Sequence, residues 1–336
     1  MTGGGPRDRA AGALYGLAIG DALGMPTESL PRSQIAARYG PLVDGFRAAP
    51  AGHPLAAGLP AGTVTDDTEQ AVLLASLIIA GHGRVDGTAL ARELLAWEES
   101  MRARGSVSLL GPSTRRALAA LQAGASPEEA GRHGTTNGAA MRIAPAGLAV
   151  PPCRLDRLVG LVTEASRVTH NTSVALAGAA AVAAAVSAGV SGAGIAEATR
   201  AGVAAAQMAA RRGYWVAAAD VAARITWAAG LTAGQPADHA LTLIYELVGT
   251  SLATQESVPA AFAVLAACPD DPWRACCLAA SLGGDTDTIA AMAGAIAGAC
   301  HGAEAFPAPA RQTVTEVNGL ALEPLAARLL ELRAAA

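Results

Sequence analysis

Apolar side chains recur at intervals of three and four residues along most of this chain, which is the spacing of one face of an α-helix. The first such segment spans residues 7–23. Segments of the same kind follow at 71–80, 86–104, 113–123, near 127, 153–169, 174–190, 192–211, 214–230, 236–250, 257–268, 272–282, 289–300, 309–318 and 322–333. No strand-like alternation of any length appears, so the pattern predicts an all-α protein.

Two stretches interrupt the helical pattern. Residues 29–64 are rich in proline and glycine, with room for one short helix near 32–39. A loop of this length in a compact domain predicts a lid or rim of a site. Residues 133–142 combine glycines, hydroxyls and an asparagine, which suits a turn that wraps a phosphate group with backbone N–H groups. Pro26 should end the first helix and leave Glu28 on a loop.

The composition indicates how the helices pack. Of the 336 residues, 52% are hydrophobic but only 3% are aromatic. Such a chain can bury a large core of closely packed helices with small side chains. We therefore expect one large domain over residues 1–336, with flexible tails at 1–6 and 334–336. The alanine-rich segment 174–190 is expected to be a buried helix rather than a membrane span, because polar residues flank it and its length is marginal.

The charge and the cysteine content limit which classes of partner and which cellular compartment we expect. The formal net charge of −4 leaves no basic field for duplex nucleic acid. The five cysteines are odd in number and lack C-x-x-C spacing, which indicates neither a disulfide framework nor a zinc site. We expect a cytoplasmic protein, a monomer or small homo-oligomer, that binds neither duplex nucleic acid nor a membrane.

The chemistry of the chain is concentrated in two acidic motifs. Thr65-Asp66-Asp67-Thr68 opens one apolar segment, and Asp285-Thr286-Asp287-Thr288 opens another. The helix dipole alone favours carboxylates at a helix N-terminus by about 0.3–1 kcal/mol, and Glu69 could complete a capping box in the first motif. The adjacent carboxylate of Asp67 adds repulsion that a cation would offset. Each motif alone is compatible with capping, but the pair favours a metal site.

Hard oxygen ligands favour magnesium or manganese over zinc. Such oxygens come from six side chains, Thr65, Asp66, Asp67, Asp285, Asp287 and Thr288. Four carboxylates exceed the needs of one divalent ion, so we expect two cations, Mg²⁺ or Mn²⁺, with open positions for water and a diol. Asp285 and Asp287 can face one site if the Gly283-Gly284 hinge lets the chain bend there.

Five groups of residues, in this order, resemble the ADP-ribosylglycohydrolase family. They are Gly20-Asp21-Ala22-Leu23-Gly24 with Glu28, Thr65-Asp66-Asp67-Thr68, Asn137-Gly138-Ala139-Ala140-Met141-Arg142, Thr169-His170 and Gly283-Gly284-Asp285-Thr286-Asp287-Thr288. They are spread over the whole chain and are specific as a set. The resemblance implies a single large, mostly orthogonal helix bundle, with a cleft at helix N-termini that holds two magnesium or manganese ions.

The resemblance also implies roles for individual residues. The same six oxygen-bearing side chains would be the metal ligands, and Glu28 would be a gating or acid/base carboxylate. Either Glu28 or Asp66 could be the catalytic group that handles the attacking water or the leaving group. The turn from His133 to Asn137 would receive the diphosphate and distal ribose. The predicted substrate-binding residues are Gly134, Thr135, Thr136, Asn137 and His170.

The implied function is hydrolysis of a glycosidic bond at C1 of a ribose. We expect a metal-dependent hydrolase that releases ADP-ribose from a modified arginine or serine side chain of a protein. One alternative is an N-ribosidase that acts on a free nucleoside, a nucleotide or another ADP-ribosyl small molecule, because the metal–diol chemistry requires only a ribose. A second alternative is a non-catalytic relative, like the lens crystallins that resemble this family.

Overall fold

Helices form the framework of residues 4–103 and 110–336, which this computed structural model describes. Those residues form no β-strand and only three isolated bridges, so the all-α prediction is confirmed. The predicted tail at 1–6 falls partly outside these ranges, at residues 1–3, and the first helix already begins at Pro6. The last position of the helix predicted at 86–104 also lies outside them.

Eighteen α-helices lie within the described ranges. The first nine are α1 (Pro6–Gly24), α2 (Arg32–Tyr39), α3 (Asp66–Ala80), α4 (Gly87–Ala103), α5 (Pro112–Gln122), α6 (Pro127–Ala130), α7 (Gly138–Met141), α8 (Ala144–Ala149) and α9 (Leu155–His170). The other nine are α10 (Ser173–Val190), α11 (Ile195–Ala209), α12 (Val221–Thr232), α13 (Ala237–Leu243), α14 (Thr254–Ala267), α15 (Pro272–Ala280), α16 (Thr286–His301), α17 (Ala308–Asn318) and α18 (Leu322–Ala334). Single 3₁₀ turns occupy Met25–Thr27, Pro152–Arg154 and Ala303–Ala305, and a π-helical turn occupies Ile244–Val248.

Three segments differ from their predicted structure. Residues 144–149, for which no helix was predicted, form α8. Residues 214–220 precede α12 instead of belonging to it, because Tyr214 pairs with the chain between α9 and α10. The Tyr214 N–H donates to the Asn171 carbonyl at 2.8 Å, and the Tyr214 carbonyl accepts from the Ser173 N–H at 2.8 Å. The turn predicted over 133–142 contains the short helix α7.

The contact between α1 and α16 organises the core. Glycines at every fourth position of α1 face α16, at Gly12, Gly16, Gly20 and Gly24. A Cβ atom at Gly16 would lie 2.0 Å from the carbonyl oxygen of Gly294, and one at Gly20 would lie 2.0 Å from that of Ala290. One at Gly24 would lie 2.4 Å from the Cα atom of Asp287. The two backbones therefore touch directly, which only glycine permits.

Helix α10 is the alanine-rich segment of the core. By length and composition it could cross a membrane, with a mean hydropathy of 1.9 over 18 residues, but 94% of that window is buried inside the structure. Thr172 caps the helix by accepting a hydrogen bond from the Ala175 N–H at 3.4 Å. Its neighbours include α9, α11 and α16. The prediction of a buried helix is confirmed.

We expect Gly16→Ala to lower the free energy of unfolding by roughly 2–3 kcal/mol, because the added methyl group must push two backbones apart. Gly160→Ala is the matched control, since Gly160 lies in α9 and a Cβ there meets no atom within 4 Å. The control should be stabilising by about 0.4–1 kcal/mol. Urea unfolding measures both changes, and equal stability of the two variants would contradict the importance of the α1–α16 contact.

Candidate metal and substrate site

One buried carboxylate at the end of α1 fixes the start of α3. Asp21 accepts hydrogen bonds from the backbone N–H (3.0 Å) and the hydroxyl (2.8 Å) of Thr65. It also accepts from the backbone N–H (3.1 Å) and the hydroxyl (2.5 Å) of Thr68. Helix N-termini leave such N–H groups without intrahelical partners. Asp21 therefore holds the first acidic motif in place. Sequence reasoning assigned it no role, although it is the one carboxylate in the apolar second half of α1.

The first acidic motif begins α3, but its capping differs from the prediction. Thr65 is the N-cap, and its hydroxyl accepts from the Asp67 N–H at 3.4 Å. Glu69 lies four positions after this N-cap, one position beyond that of a capping box, and its carboxylate accepts from Trp97 Nε1 of α4. The cap uses neither carboxylate of Asp66 and Asp67, which leaves both for other chemistry.

Two glycines turn the chain into the second acidic motif. Gly283 and Gly284 have φ angles of +88° and +80°, a region that favours glycine. The Gly284 N–H donates to the Leu30 carbonyl at 3.0 Å, and the Gly284 carbonyl accepts from the Ser29 N–H at 2.7 Å. The hinge predicted here is present, and it ties the second motif to the segment that follows Glu28.

The backbone of Glu28 is fixed on both sides. Before it, the hydroxyls of Thr27 and Thr286 lie 2.9 Å apart, and both donate to the Gly24 carbonyl at 2.9 and 3.1 Å. After it, Ser29 is bonded to the glycine hinge. Glu28 lies after a 3₁₀ turn, outside any helix, as predicted. Gating by this residue would therefore be a rotation of its side chain rather than a movement of its backbone.

The two acidic motifs meet beside this turn. The Thr288 hydroxyl donates to Asp67 Oδ2 at 3.3 Å. Carboxylate oxygens of Glu28, Asp285 and Asp287 all lie within 4.8 Å of one another. The two acidic motifs therefore lie side by side, as the sequence predicts. Glu28 lies close enough to them to be a further ligand.

The residues present fit divalent cations. All of the candidate ligand atoms are carboxylate and hydroxyl oxygens, which Mg²⁺ and Mn²⁺ prefer. Asp67 Oδ1 and Asp287 Oδ1 are buried without a hydrogen-bond partner, a costly state unless a cation or a proton satisfies the oxygen. The Thr65 hydroxyl donates its hydrogen to Asp21 and accepts from the Asp67 N–H, so one of its two lone pairs is left for a cation.

Burial and mutual repulsion raise the pKa values of these carboxyl groups. Burial raises the pKa of Asp285 to about 6, and burial with the charge of Asp285 raises the pKa of Asp287 to about 7. Burial, and then the charge of Asp287, holds the pKa values of Glu28, Asp66 and Asp67 well above their ordinary range. A divalent cation would offset this repulsion and favour the ionised carboxylates.

A cavity of about 250 Å³ adjoins the carboxylates. Its polar lining includes Glu28, Asp66, Asp285, Asp287, Thr288, Thr136 and Asn137. Thr65 and Asp67 lie outside this lining. Asp285, Asp287 and Thr288 are buried in its wall, whereas Glu28 and Asp66 are partly exposed. The two predicted catalytic carboxylates are therefore the most accessible acidic groups of the cavity. Leu55, from the long loop at 29–64, also lines it.

Part of the predicted substrate turn is used for packing instead. Gly134 and Thr135 do not line the cavity, and His133 is exposed outside it. The Gly134 carbonyl accepts from the Thr172 hydroxyl at 2.6 Å. The Thr135 carbonyl accepts from the N–H and hydroxyl of Thr254 at 3.2 and 2.9 Å. The geometry therefore does not support direct substrate contact by these residues.

His170 also lies off the cavity wall, contrary to the prediction that it lines the cleft. It is fully buried, with Nε2 3.0 Å from the Thr136 hydroxyl and Nδ1 2.8 Å from the Thr169 hydroxyl. Burial and the charge of Arg142 hold its pKa well below the ordinary value, so the imidazole is neutral. Its contact is with Thr136, which does line the cavity, so His170 positions a cavity residue.

A buried arginine joins this region to the carboxylates. Arg142 is 0% exposed, and it donates from Nη1 to Gln70 Oε1 at 3.0 Å and from Nη2 to the Thr169 hydroxyl at 2.7 Å. Gln70 Nε2 in turn donates to Asp66 Oδ2 at 3.0 Å. Because a guanidinium only donates, Arg142 fixes the orientation of the Gln70 amide. Sequence reasoning missed this series of hydrogen bonds. Its one signal in the sequence was the lone arginine in the apolar stretch 139–150.

Asn137 connects the substrate turn to the second acidic motif. Its Nδ2 donates to Asp285 Oδ2 and, at 2.9 Å, to the Ser257 hydroxyl. Its backbone N–H donates to the Leu252 carbonyl at 3.0 Å. Asn137 therefore orients a predicted metal ligand as well as lining the cavity.

The fold and the site together define a helical protein with a cluster of carboxylates beside a cavity. A family model described as ADP-ribosylglycohydrolase matches residues 3–336, and the chain belongs to this family of glycosidases. The chain is 36% identical over 327 residues to the uncharacterized protein YegU of Escherichia coli (strain K12), and the match covers 97% of each protein.

Two further relatives point the same way. The chain is 34% identical over 172 residues to the ADP-ribosyl-[dinitrogen reductase] glycohydrolase of Rhodospirillum rubrum, across 51% of this chain and 54% of that protein. A solved structure described as an ADP-ribosylglycohydrolase-related protein complex shares 28% identity with a TM-score of 0.69, over 97% of this chain and 98% of that chain. The resemblance seen in the sequence is confirmed.

The melting temperature of the metal-free protein should fall as the pH rises from about 5 to about 8. The folded-state pKa values of Asp285 (about 6) and Asp287 (about 7) are raised above their ordinary value. The stability that these groups contribute is therefore present at low pH and is lost as the pH passes through those values. Added Mg²⁺ should raise the melting temperature most at the high end, where fewer protons must be displaced.

The double variant Asp285→Asn/Asp287→Asn is the control for this titration. It should show a flatter pH dependence and little or no stabilisation by Mg²⁺, because two of the titrating ligands are gone. A melting temperature of the unmodified protein that does not respond to Mg²⁺ at any pH would contradict the assignment.

Asp21→Asn should raise the dissociation constant for Mg²⁺ by about 10- to 100-fold. The amide removes the charge and places a donor where Thr65 and Thr68 both need an acceptor. Asp220→Asn is the matched control, since Asp220 is an exposed N-cap of α12 and asparagine caps helices equally well. Titration calorimetry with Mg²⁺ gives both constants, and equal values would show that Asp21 does not support the site.

Proposed function

We propose that this protein hydrolyses the glycosidic bond at C1 of a ribose and releases ADP-ribose from a modified arginine or serine side chain, with two divalent cations, Mg²⁺ or Mn²⁺. The observation that carries the proposal is the meeting of both acidic motifs at one cavity, with buried carboxylate oxygens that lack partners. Family membership supports an ADP-ribosyl substrate, and the Rhodospirillum rubrum relative is named for a modified protein. All five cysteines are free, in keeping with the cytoplasmic location we propose.

The cations would be held by the oxygens of Thr65, Asp66, Asp67, Asp285, Asp287 and Thr288. Glu28 is near enough to Asp285 and Asp287 to take part. Divalent cations bound here would supply Lewis-acid polarisation of ribose hydroxyls and a water of lowered pKa. Asn137 and Gln70 would keep Asp285 and Asp66 oriented through their side-chain amides.

Glu28 and Asp66 would carry the acid–base chemistry. Both line the cavity and are partly exposed in it, so a bound substrate can reach them. Asp66 is restrained by Gln70, which suits a carboxylate that orients a nucleophile. Glu28 has a fixed backbone but a side chain facing the cavity, which suits proton transfer to the leaving group. Such a role typically contributes about 10²–10⁴-fold to the rate.

A nucleoside N-ribosidase is the second candidate function. The observation that favours it is the position of Gly134 and Thr135, which lie off the cavity wall where a diphosphate turn was expected. The ribose chemistry would be the same in both cases. A non-catalytic role is disfavoured, because Glu28 and Asp66 are both accessible in the cavity.

Release of free ADP-ribose from arginine-modified and serine-modified proteins tests the proposal, with Mg²⁺, Mn²⁺ and a chelator in parallel. We expect release with either metal and none with the chelator. Glu28→Gln should slow the reaction by about 10²–10⁴-fold. Glu197→Gln, at an exposed position of α11, should leave the rate unchanged. Hydrolysis of a nucleoside without any release of ADP-ribose would contradict the proposal and favour the second candidate.

A further inference from the structure

Arg115 is the one cation among the described residues that line the cavity. It lies in the first turns of α5 and is exposed, whereas the other charged groups of the lining are the carboxylates Glu28, Asp66, Asp285 and Asp287. We propose that Arg115 binds the diphosphate of an ADP-ribosyl substrate and makes the cavity selective for it over an uncharged nucleoside. This inference rests on the proposed function, because it places the ribose at the carboxylates.

The Arg115 side chain is oriented but not neutralised. Its Nη2 donates to the Leu110 carbonyl at 2.8 Å. The remaining donors of the guanidinium, which has five in all, have no hydrogen-bond partner among the described residues. Arg115 also lines a neighbouring groove with Glu98 and Glu99, yet no carboxylate of the described residues lies within 4.0 Å of it as an ion pair. The positive charge of Arg115 is therefore not neutralised by an ion pair with any described residue.

Thr136 is a second polar group in the lining of the same cavity. The Thr169 hydroxyl accepts from Arg142 Nη2 at 2.7 Å and donates to the Ser166 carbonyl at 3.3 Å, and it lies 2.8 Å from His170 Nδ1. His170 Nε2 lies 3.0 Å from Thr136 Oγ1, so the buried imidazole fixes the position of the Thr136 hydroxyl. Arg115 presents guanidinium N–H groups beside this hydroxyl, and phosphate oxygens are strong acceptors for such donors.

The charge of the lining makes Arg115 decisive for a diphosphate. Two divalent cations would balance the four carboxylates of the lining, so Arg115 is the remaining protein charge that attracts a diphosphate. An uncharged nucleoside gains little from this charge. Diphosphate recognition thus comes from α5, whereas the family resemblance placed it in the turn from His133 to Asn137.

Titration calorimetry of the Mg²⁺-loaded protein with ADP-ribose and with adenosine tests this assignment. Arg115→Met should weaken ADP-ribose binding by about tenfold or more and leave adenosine binding unchanged. Arg115→Lys should retain part of the affinity, since it keeps the charge but loses the planar fork. Arg116→Met is the matched control, because Arg116 is the next residue of α5, is exposed and lies outside the cavity lining.

The outcomes separate this inference from the proposed function. Binding of ADP-ribose to the unmodified protein, with an equal affinity in Arg115→Met, would overturn the inference and leave the proposed function standing. A parallel loss of ADP-ribose and adenosine binding in Arg115→Met would show that Arg115 only shapes the site. Binding of adenosine without any binding of ADP-ribose would overturn both.

Discussion

The direct contact between the backbones of α1 and α16 is the constraint on which the site depends. Each acidic motif is anchored to one member of this pair, because Asp21 in the last turn of α1 holds the first motif and α16 begins within the second. At Gly24 the closest atom across the contact is the Cα of Asp287 itself. The distance between the motifs is therefore set by backbone meeting backbone, which side-chain repacking cannot adjust.

The rest of the site offsets the desolvation and mutual repulsion of several buried carboxylates. Donors surround the cluster: the N–H groups of α3 bond to Asp21, Asn137 bonds to Asp285, and Gln70 bonds to Asp66. Gln70 in turn accepts from the buried guanidinium of Arg142, which also donates to the Thr169 hydroxyl. Such a network is stable only when its members keep their positions, so the arrangement that suits cations also makes the cavity rigid.

The acidic motifs, the helix bounds and the glycine hinge could be predicted from the sequence because each is a local pattern. The roles of Asp21 and Arg142 could not, since their partners come from other helices. His170 was assigned to the cleft through the family resemblance, but its burial places it behind Thr136. The helix predicted over 214–230 begins only at Val221, because Tyr214 pairs with a distant loop and helical spacing cannot register such pairing.

The pairing of α1 with α16 also has a consequence for how the chain folds. The first helix packs on one that ends at His301, so most of the chain intervenes between the two surfaces. Closing so long a loop is entropically unfavourable before the contact forms, and topologies of this kind fold slowly. During synthesis, α1 must wait with its glycine face uncovered until α16 emerges. The acidic motifs come together only once α16 has been made, so the carboxylate cluster is assembled late in folding.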